Sequence, residues 1–314
     1  MSQDTGRYAA EGDRIVVRTP AKINLALLVG PLRPDGFHEL ASVYQAIGLY
    51  DDVVAEPAPD GEITVTTSGP NADQVPDGPD NLAVRAARLL AESCGIRRGV
   101  RLRIHKGIPV AGGMAGGSSD AAAALVACDA LWDTRLDRDD LLALAARLGS
   151  DVPFCVLGGT ALGSGHGEIV TPALARGTYT WVLALDGAGL STPRVYRELD
   201  AMRGDRPVAP PRIPEELLAA LSSGDPEALG KALVNDLAPV ALRLRPSLRR
   251  LLNEGRELGA LGAMISGSGP TCAFLARDGD HALDLAVRLS GSGLCGTVTT
   301  AVGPVAGARL HRSS

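Results

Sequence analysis

Aromatic side chains are scarce: the 314 residues include two Trp, five Tyr and three Phe. The core must therefore be mostly Ala, Leu and Val, and a ring placed in a loop needs a reason. Cysteine is thin as well. The five thiols (Cys94, Cys128, Cys155, Cys272, Cys295) are scattered, odd in number and without metal-ligand spacing, which excludes the even framework of a small secreted scaffold. There is no excess of positive charge. Thirty-six acidic residues against 31 basic ones leave a net charge of −5, which argues against a general nucleic-acid binder, since such a protein carries a basic face. Long apolar runs are missing too. Residues 258–276 and 289–308 lack charged side chains over a membrane-spanning length, but Gly, Pro and hydroxyl residues interrupt both, and neither has the apolar density that hydrocarbon demands. The opening MSQDTGRYAAEGDR is polar and shows no secretory h-region. The expectation is a soluble, cytoplasmic protein with reduced thiols and no membrane partner.

What is present is an ordinary globular composition, 45% hydrophobic and 21% charged, which excludes wholesale disorder. At roughly 150 residues per domain the length predicts about two domains. Short β runs are expected over 14–18 and 23–29, broken by Thr19-Pro20, with further strands over 43–56 and 62–67. Asn81 is a good N-cap for a helix over 82–94, and Gly95 is a good stop. A half-buried strand over 100–106 alternates Val100, Leu102 and Ile104 with Arg101, Arg103 and His105. Helices follow over 120–132 and 138–148, then a Gly-rich stretch, 158–171, that reads as the way out of the first domain.

Beyond it the pattern predicts a strand over 180–185, helices near 193–200, 214–222, 225–233 and 246–258, strands over 262–265 and 271–276, a helix over 280–290 and a strand over 295–302. Strands and helices mix in both halves without a βαβ rhythm. The expected class is α+β rather than a doubly wound sheet, with an N-terminal domain over 1–170 and a C-terminal one over 171–314.

Four clusters carry the chemistry. The strongest is PVAGGMAGGSS at 109–119, between a strand and an alanine-rich helix. Its glycines let backbone approach a ligand with no Cβ in the way, and amides opening the next helix favour an anion. Ser118 and Ser119 can donate to phosphate oxygens or help hold a cation. The loop has no Lys-Ser/Thr of a Walker A motif and no clear G-x-G-x-x-G register, so a nucleoside triphosphate fits it better than a dinucleotide. In the second cluster, PAKINL, Lys22 and Asn24 share one strand face opposite Ile23 and Leu25, and Asp35-Gly-Phe-His follows. An ordinary amphipathic edge strand explains that pattern equally well. In the third, LGSDVPF, Asp151 either caps the next helix or faces the phosphate loop. In the fourth, ISGSGPTC at 265–272, a tight hairpin explains the sequence as well as ligand contact does.

In this order and spacing, PAKINLAL, PVAGGMAGGSSDAA, LGSDVPF and SGSGPTC resemble the GHMP kinase superfamily along nearly the whole chain. PAKINL with RPDGFHEL, and STPRVY later, resemble the branch whose acceptor carries a cytidine diphosphate group, on the non-mevalonate route to isoprenoid precursors. The resemblance implies a two-domain fold with the active site in the cleft between domains, and ATP with Mg²⁺ phosphorylating an alcohol of that acceptor. It implies Lys22 and Asp151 as catalytic residues. It places ATP on Pro109, Val110, Ala111, Gly112, Gly113, Met114, Ala115, Gly116, Gly117, Ser118 and Ser119, with Lys106, Asn81 and Leu82 beside the adenine. It gives the acceptor to Asn24, Phe37, His38, Thr192 and Tyr196, with the cytosine between Phe37 and Tyr196 and its edge read by His38. Phe37 stands where the family usually has Tyr, and Ala111, Met114 and Ala115 where family loops often read Gly-Leu-Gly. No metal-ligating carboxylate is implied.

Three other readings compete. The nearest is a sister kinase of the same superfamily, for homoserine, mevalonate or a sugar. A nucleic-acid-binding module would use Arg97, Arg98, Arg101, Arg103, His105 and Lys106, or Arg243, Arg245, Arg249 and Arg250, as basic stripes. A nicotinamide oxidoreductase is the third. The expected partner is a small molecule rather than a nucleic acid, and the expected assembly is a monomer or weak homodimer.

Overall fold

The computed structural model describes residues 14–110, 112–185 and 189–311. Its frame is one long antiparallel pair, β1 (Ile15–Leu32) and β2 (His38–Ala58). Thr19-Pro20 does not break β1. The register jumps between Pro20 and Ala21, so the residue with no N–H to give sits at a bulge and the strand continues.

Around this pair the first sheet runs β12 (Arg309–Leu310), β1, β2, β4 (Gly99–His105), β3 (Ile63–Ser68). β2 is long enough to serve two neighbours. Residues 52–58 pair with β4 and residues 42–45 with β5 (Thr160–Ser164), which in turn pairs with β6 (Ile169–Pro172). The glycine-rich stretch read as an exit is thus mostly a hairpin of this sheet. Residue 170 falls inside β6, and β12 returns from the far end of the chain to β1. The two-residue β8 (Val234–Asn235) also pairs with β1.

Four helices cover one face: α1 (Leu82–Cys94), α2 (Gly116–Trp132), α3 (Arg138–Leu148) and α4 (Val152–Leu157). Asn81 caps α1 by accepting from the Ala83 amide, and Gly95 ends it in the left-handed region. α2 starts at Gly116, four residues before the expected start, because Ala115 turns the chain with φ 62°. Its run Ala121–Ala124 is fully buried, and such small residues let the helix lie close against Val53, Leu102 and Ile104 of the sheet.

The second sheet is antiparallel, in the order β11 (Thr297–Gly303), β7 (Tyr179–Leu185), β10 (Cys272–Ala276), β9 (Gly262–Ile265). α9 (Ser247–Glu257) and α10 (Gly279–Gly291) cover one side through Leu251, Phe274, Leu285 and Leu289. Its other side shares a core with the first sheet, where Ile23, Leu25 and Ile47 meet Trp181, Leu183 and Leu275. The buried Trp181 Nε1 donates to Gln45 Oε1 at 2.9 Å across this junction. The remaining helices are α5 (Thr192–Arg203), α6 (Glu215–Ser223), α7 (Pro226–Ala232) and α8 (Ala238–Leu244). The class is α+β, as the mixed pattern implies.

Candidate active site

A cavity of about 800 Å³ opens between the two halves. β1 supplies its floor. Alternation sends Ile23 and Leu25 into the shared core and turns Lys22 and Asn24 to the cavity. The Lys22 ammonium donates to Asn24 Oδ1 at 2.7 Å, Asn24 Nδ2 donates to Ser42 Oγ at 2.8 Å, and that hydroxyl donates to the Ala26 carbonyl. The chain of bonds fixes the Asn24 amide and, through it, the ammonium. Asn24 thus lines the cavity with its amide engaged by Lys22 and Ser42. The ammonium also lies 5.4 Å from the Tyr44 ring centroid, and Tyr44 stacks on Phe154. Burial, with Asp151 adding to it, pushes the Tyr44 hydroxyl well above its ordinary pKa.

Asp151 comes from a distant segment, the residue before α4. It occupies the N-cap position, yet its side chain makes no capping bond. The carboxylate instead stands 3.4 Å from the Lys22 ammonium and lines the cavity. This decides between the two expectations for the third cluster.

The loop before α2 forms the adjoining wall, with Gly112, Gly113, Ala115, Gly116, Gly117 and Ser118 on the cavity. The N–H groups opening α2 have no partner within the helix and mark its positive end. The Lys22 amide donates to the Met114 carbonyl, tying the loop to β1. Gly113 has φ +76°, and a Cβ there would stand 2.4 Å from the Ser266 carbonyl oxygen. The fourth cluster is therefore the loop's backing as well as a hairpin: Ser266 Oγ donates to the Gly113 carbonyl, and Gly267 and Ser268 reach the cavity.

Several expected residues turn elsewhere. The Ser119 hydroxyl donates inward to the Pro20 carbonyl, leaving Ser118 as the loop's hydroxyl on the cavity. Met114 is buried in the shared core. Pro109 and Val110 are half-buried and off the cavity wall, and Ala111 lies outside the described residues. Asn81 uses both ends of its amide, accepting from Ala83 and donating to the Pro76 carbonyl, while Leu82 does line the cavity. Lys106 is buried between Asp51 and Asp120, so its ammonium is engaged by two carboxylates rather than offered to a base. Burial opposes its charge, but Asp120 and Asp51 outweigh it and raise the pKa. Burial in turn raises Asp120 to about 8, against the pull of Lys106. Arg103 pairs with Glu56 at an exposed position, so a carboxylate sits within the basic stripe that the competing nucleic-acid reading would need.

On the same cavity four rings form two stacked pairs. Phe37 lies on His166, with centroids 4.9 Å apart, and His38 lies on Tyr196 at 5.3 Å. Phe37 is 54% exposed. Thr192 shares a hydrogen bond with Ser268 at 2.8 Å. His166, Ser150 and Asp200 also line the cavity and went unread in the sequence. His166 shares a 2.7 Å hydrogen bond with Ser150, the neighbour of Asp151, and His38 shares one of 2.8 Å with Asp200. The one available signal for His166 was a histidine inside a glycine-rich turn.

An amide cradle, an ammonium–carboxylate couple and a cluster of rings thus share one cleft. The model of the GHMP kinases N terminal domain matches residues 81–159, and that of the GHMP kinases C terminal region matches residues 217–293. A 4-diphosphocytidyl-2-C-methyl-D-erythritol kinase of Thermobifida fusca is 53% identical over 302 residues, covering 94% of this chain and 98% of the relative. The chain belongs to the GHMP kinase family. It is an enzyme of that family's kind, a small-molecule kinase. A crystal structure of 4-(cytidine 5'-diphospho)-2C-methyl-D-erythritol kinase superposes with a TM-score of 0.74 at 37% identity, covering 91% of this GHMP kinase and 98% of that chain. The homoserine kinase of Cytophaga hutchinsonii superposes nearly as well, with a TM-score of 0.72 and coverage of 98% and 100%, but at 17% identity it shows the shared fold alone. Among the described residues of this kinase no helix is long and apolar enough to cross a membrane.

Proposed function

We propose that this GHMP kinase transfers the γ-phosphoryl group of ATP to the 2-hydroxyl of 4-diphosphocytidyl-2-C-methyl-D-erythritol, a step of non-mevalonate isoprenoid precursor synthesis. One observation carries the reading: the couple of Lys22 and Asp151 shares one cavity with the amide cradle and the ring cluster. The likeness to the Thermobifida fusca kinase supports it over a sister kinase for homoserine, mevalonate or a sugar.

The triphosphate lies on the amides of the 112–118 wall, with Leu82 beside the base. The cytosine stacks on Phe37 and Tyr196, His38 faces its edge, and Thr192 contacts the nucleoside. That fixes the acceptor at one end and leaves its 2-hydroxyl at Asp151. The hydroxyl oxygen bonds to the γ-phosphorus as the bond to the β-bridging oxygen breaks, its proton passes to Asp151, and ADP leaves. The reaction asks mostly for positioning and charge stabilisation. Lys22, oriented by Asn24, lies beside the carboxylate and neutralises charge on the passing phosphoryl group.

Among the described residues no three His, Cys, Asp or Glu side chains gather as metal ligands. An Mg²⁺ ion arriving with a triphosphate asks for few protein ligands, since it keeps waters and takes phosphate oxygens. Ser118, with its hydroxyl on the cavity wall at the start of α2, fits that demand; Ser119, bonded to Pro20, does not. An Mg²⁺ ion held there would supply charge neutralisation to the phosphates.

On this reading the protein works in the cytoplasm, as a monomer or weak homodimer of two lobes, on a small molecule rather than on nucleic acid or membrane. The net charge of −5 supports that choice of partner. ADP release measured across a panel of acceptors tests the assignment. The cytidylylated methylerythritol is expected to turn over at least a hundredfold better than its uncytidylylated phosphate, homoserine or mevalonate. Equal turnover of homoserine or mevalonate would replace it with a sister kinase.

A further inference from the structure

Asp200 carries a charge where its helix disfavours one. It lies three residues before the end of α5, near the negative pole of the helix dipole, with its side chain partly exposed. A surface carboxylate there gains nothing from the helix. Its partner is across the cavity wall: Asp200 Oδ1 stands 2.8 Å from Nε2 of His38, a ring that is 7% exposed. Tyr196, four residues earlier and so on the same face of α5, stacks on that imidazole. One helix face therefore clamps His38 twice, by its plane and by one nitrogen.

A carboxylate oxygen only accepts. A singly protonated imidazole held this way carries its proton on Nε2 and leaves Nδ1 as a lone-pair acceptor. Nδ1 has no partner among the described hydrogen bonds and is not sealed inside the protein, and His38 lines the cavity. Of the two pyrimidines that a cytidine-like pocket must tell apart, cytosine presents an amino group at C4 and uracil a carbonyl. An acceptor nitrogen bonds the first and repels the second.

We infer that Asp200 is a positioning residue that sets base specificity: it fixes the His38 tautomer so that Nδ1 accepts from the 4-amino group of cytosine and rejects uracil. This rests on the placement of the cytidine proposed above and goes further, in naming what distinguishes it from uridine. A base discrimination of this kind amounts to about fivefold to 150-fold in affinity.

The test measures binding of CDP and UDP to the intact protein by calorimetry, together with the nitrogen-15 spectrum of His38, assigned by its loss in His38→Gln. The wild-type protein is expected to bind CDP at least tenfold more tightly than UDP, with Nδ1 unprotonated. Asp200→Ala and Asp200→Asn are expected to bring that ratio towards one and to give a mixed tautomer, while affinity for ATP holds. A merely structural role would weaken both diphosphates alike and keep the ratio. Equal binding of CDP and UDP by the wild-type protein, or a proton on its Nδ1, overturns the inference and leaves the kinase assignment standing. Failure to bind either diphosphate would overturn both.

Discussion

Lys22 and Asp151 come from the first strand and from the turn before the fourth helix, yet their charged groups meet at 3.4 Å in the cleft. Lys22 is buried and hydrogen-bonded to Asn24, whereas the Asp151 side chain is the more exposed of the two and makes no capping bond to its own helix. The carboxylate is the member free to meet an incoming hydroxyl. Asp151→Asn keeps its shape and is expected to lower kcat by about 10²–10⁴, the usual reach of a positioned acid or base, with little change in ATP affinity. Steady-state kinetics check both terms, and near-normal turnover would remove Asp151 from the chemistry.

The ring cluster predicts a different signature. Phe37→Ala takes one face from the base and leaves His166 unstacked. Stacking one base is worth about 1–3 kcal/mol, so KM for the cytidylylated acceptor is expected to rise by about tenfold or more while KM for ATP holds. Equal increases for both substrates would break the assignment of the rings to the acceptor and the loop to ATP.

The cradle can be tested through a single methyl group. Gly113 needs its positive φ, and a Cβ there would collide with the Ser266 carbonyl, which belongs to backbone and cannot swing aside. Gly113→Ala is expected to cost about 1–3 kcal/mol of stability and to weaken ATP binding more than acceptor binding. Thermal melts and separate titrations of the two ligands measure this.

The buried cluster of Asp51, Lys106 and Asp120 supplies a pH dependence. One ammonium faces two carboxylates, Asp51 also takes the Gly107 and Ile108 amides, and Asp120 Oδ1 has no hydrogen-bond partner. Asp120 is raised to about 8 in the folded protein. Between the ordinary carboxylate range and pH 8 the unfolded chain releases this proton first, so the group makes the fold less stable as pH rises. Asp120→Asn keeps a side-chain oxygen to accept from Lys106 and removes the surplus charge. It is expected to be more stable than wild type at pH 8, by on the order of 1–3 kcal/mol, with the gap closing towards pH 4. Denaturant midpoints across that range decide it; a gap independent of pH would contradict the charge argument.

What could be read from the chain was local. Asn81 and Gly95 bound α1 because a cap and a left-handed stop are encoded in single residues. The amide cradle was legible because strand, glycines and helix start are contiguous. Other features depend on partners distant in sequence. Pro20 stays in β1 because β2 pairs on both sides of the bulge. Gly163 sits in a strand because the Tyr44 ring occupies the place of a side chain there, with Cε2 only 2.4 Å from where a Cβ would be. That glycine made the segment look like a linker and hid His166 along with it. Lys106 matched a family position, but its two carboxylates come from β2 and α2, and no spacing announces them.

The most direct measurement is phosphorus NMR of the product formed from ATP and carbon-13-labelled 4-diphosphocytidyl-2-C-methyl-D-erythritol. The expected result is one new phosphomonoester coupled to the methyl-bearing C2, with the cytidine diphosphate resonances intact. Inorganic phosphate alone, or an ester on another carbon, would contradict the placement of the 2-hydroxyl at Asp151.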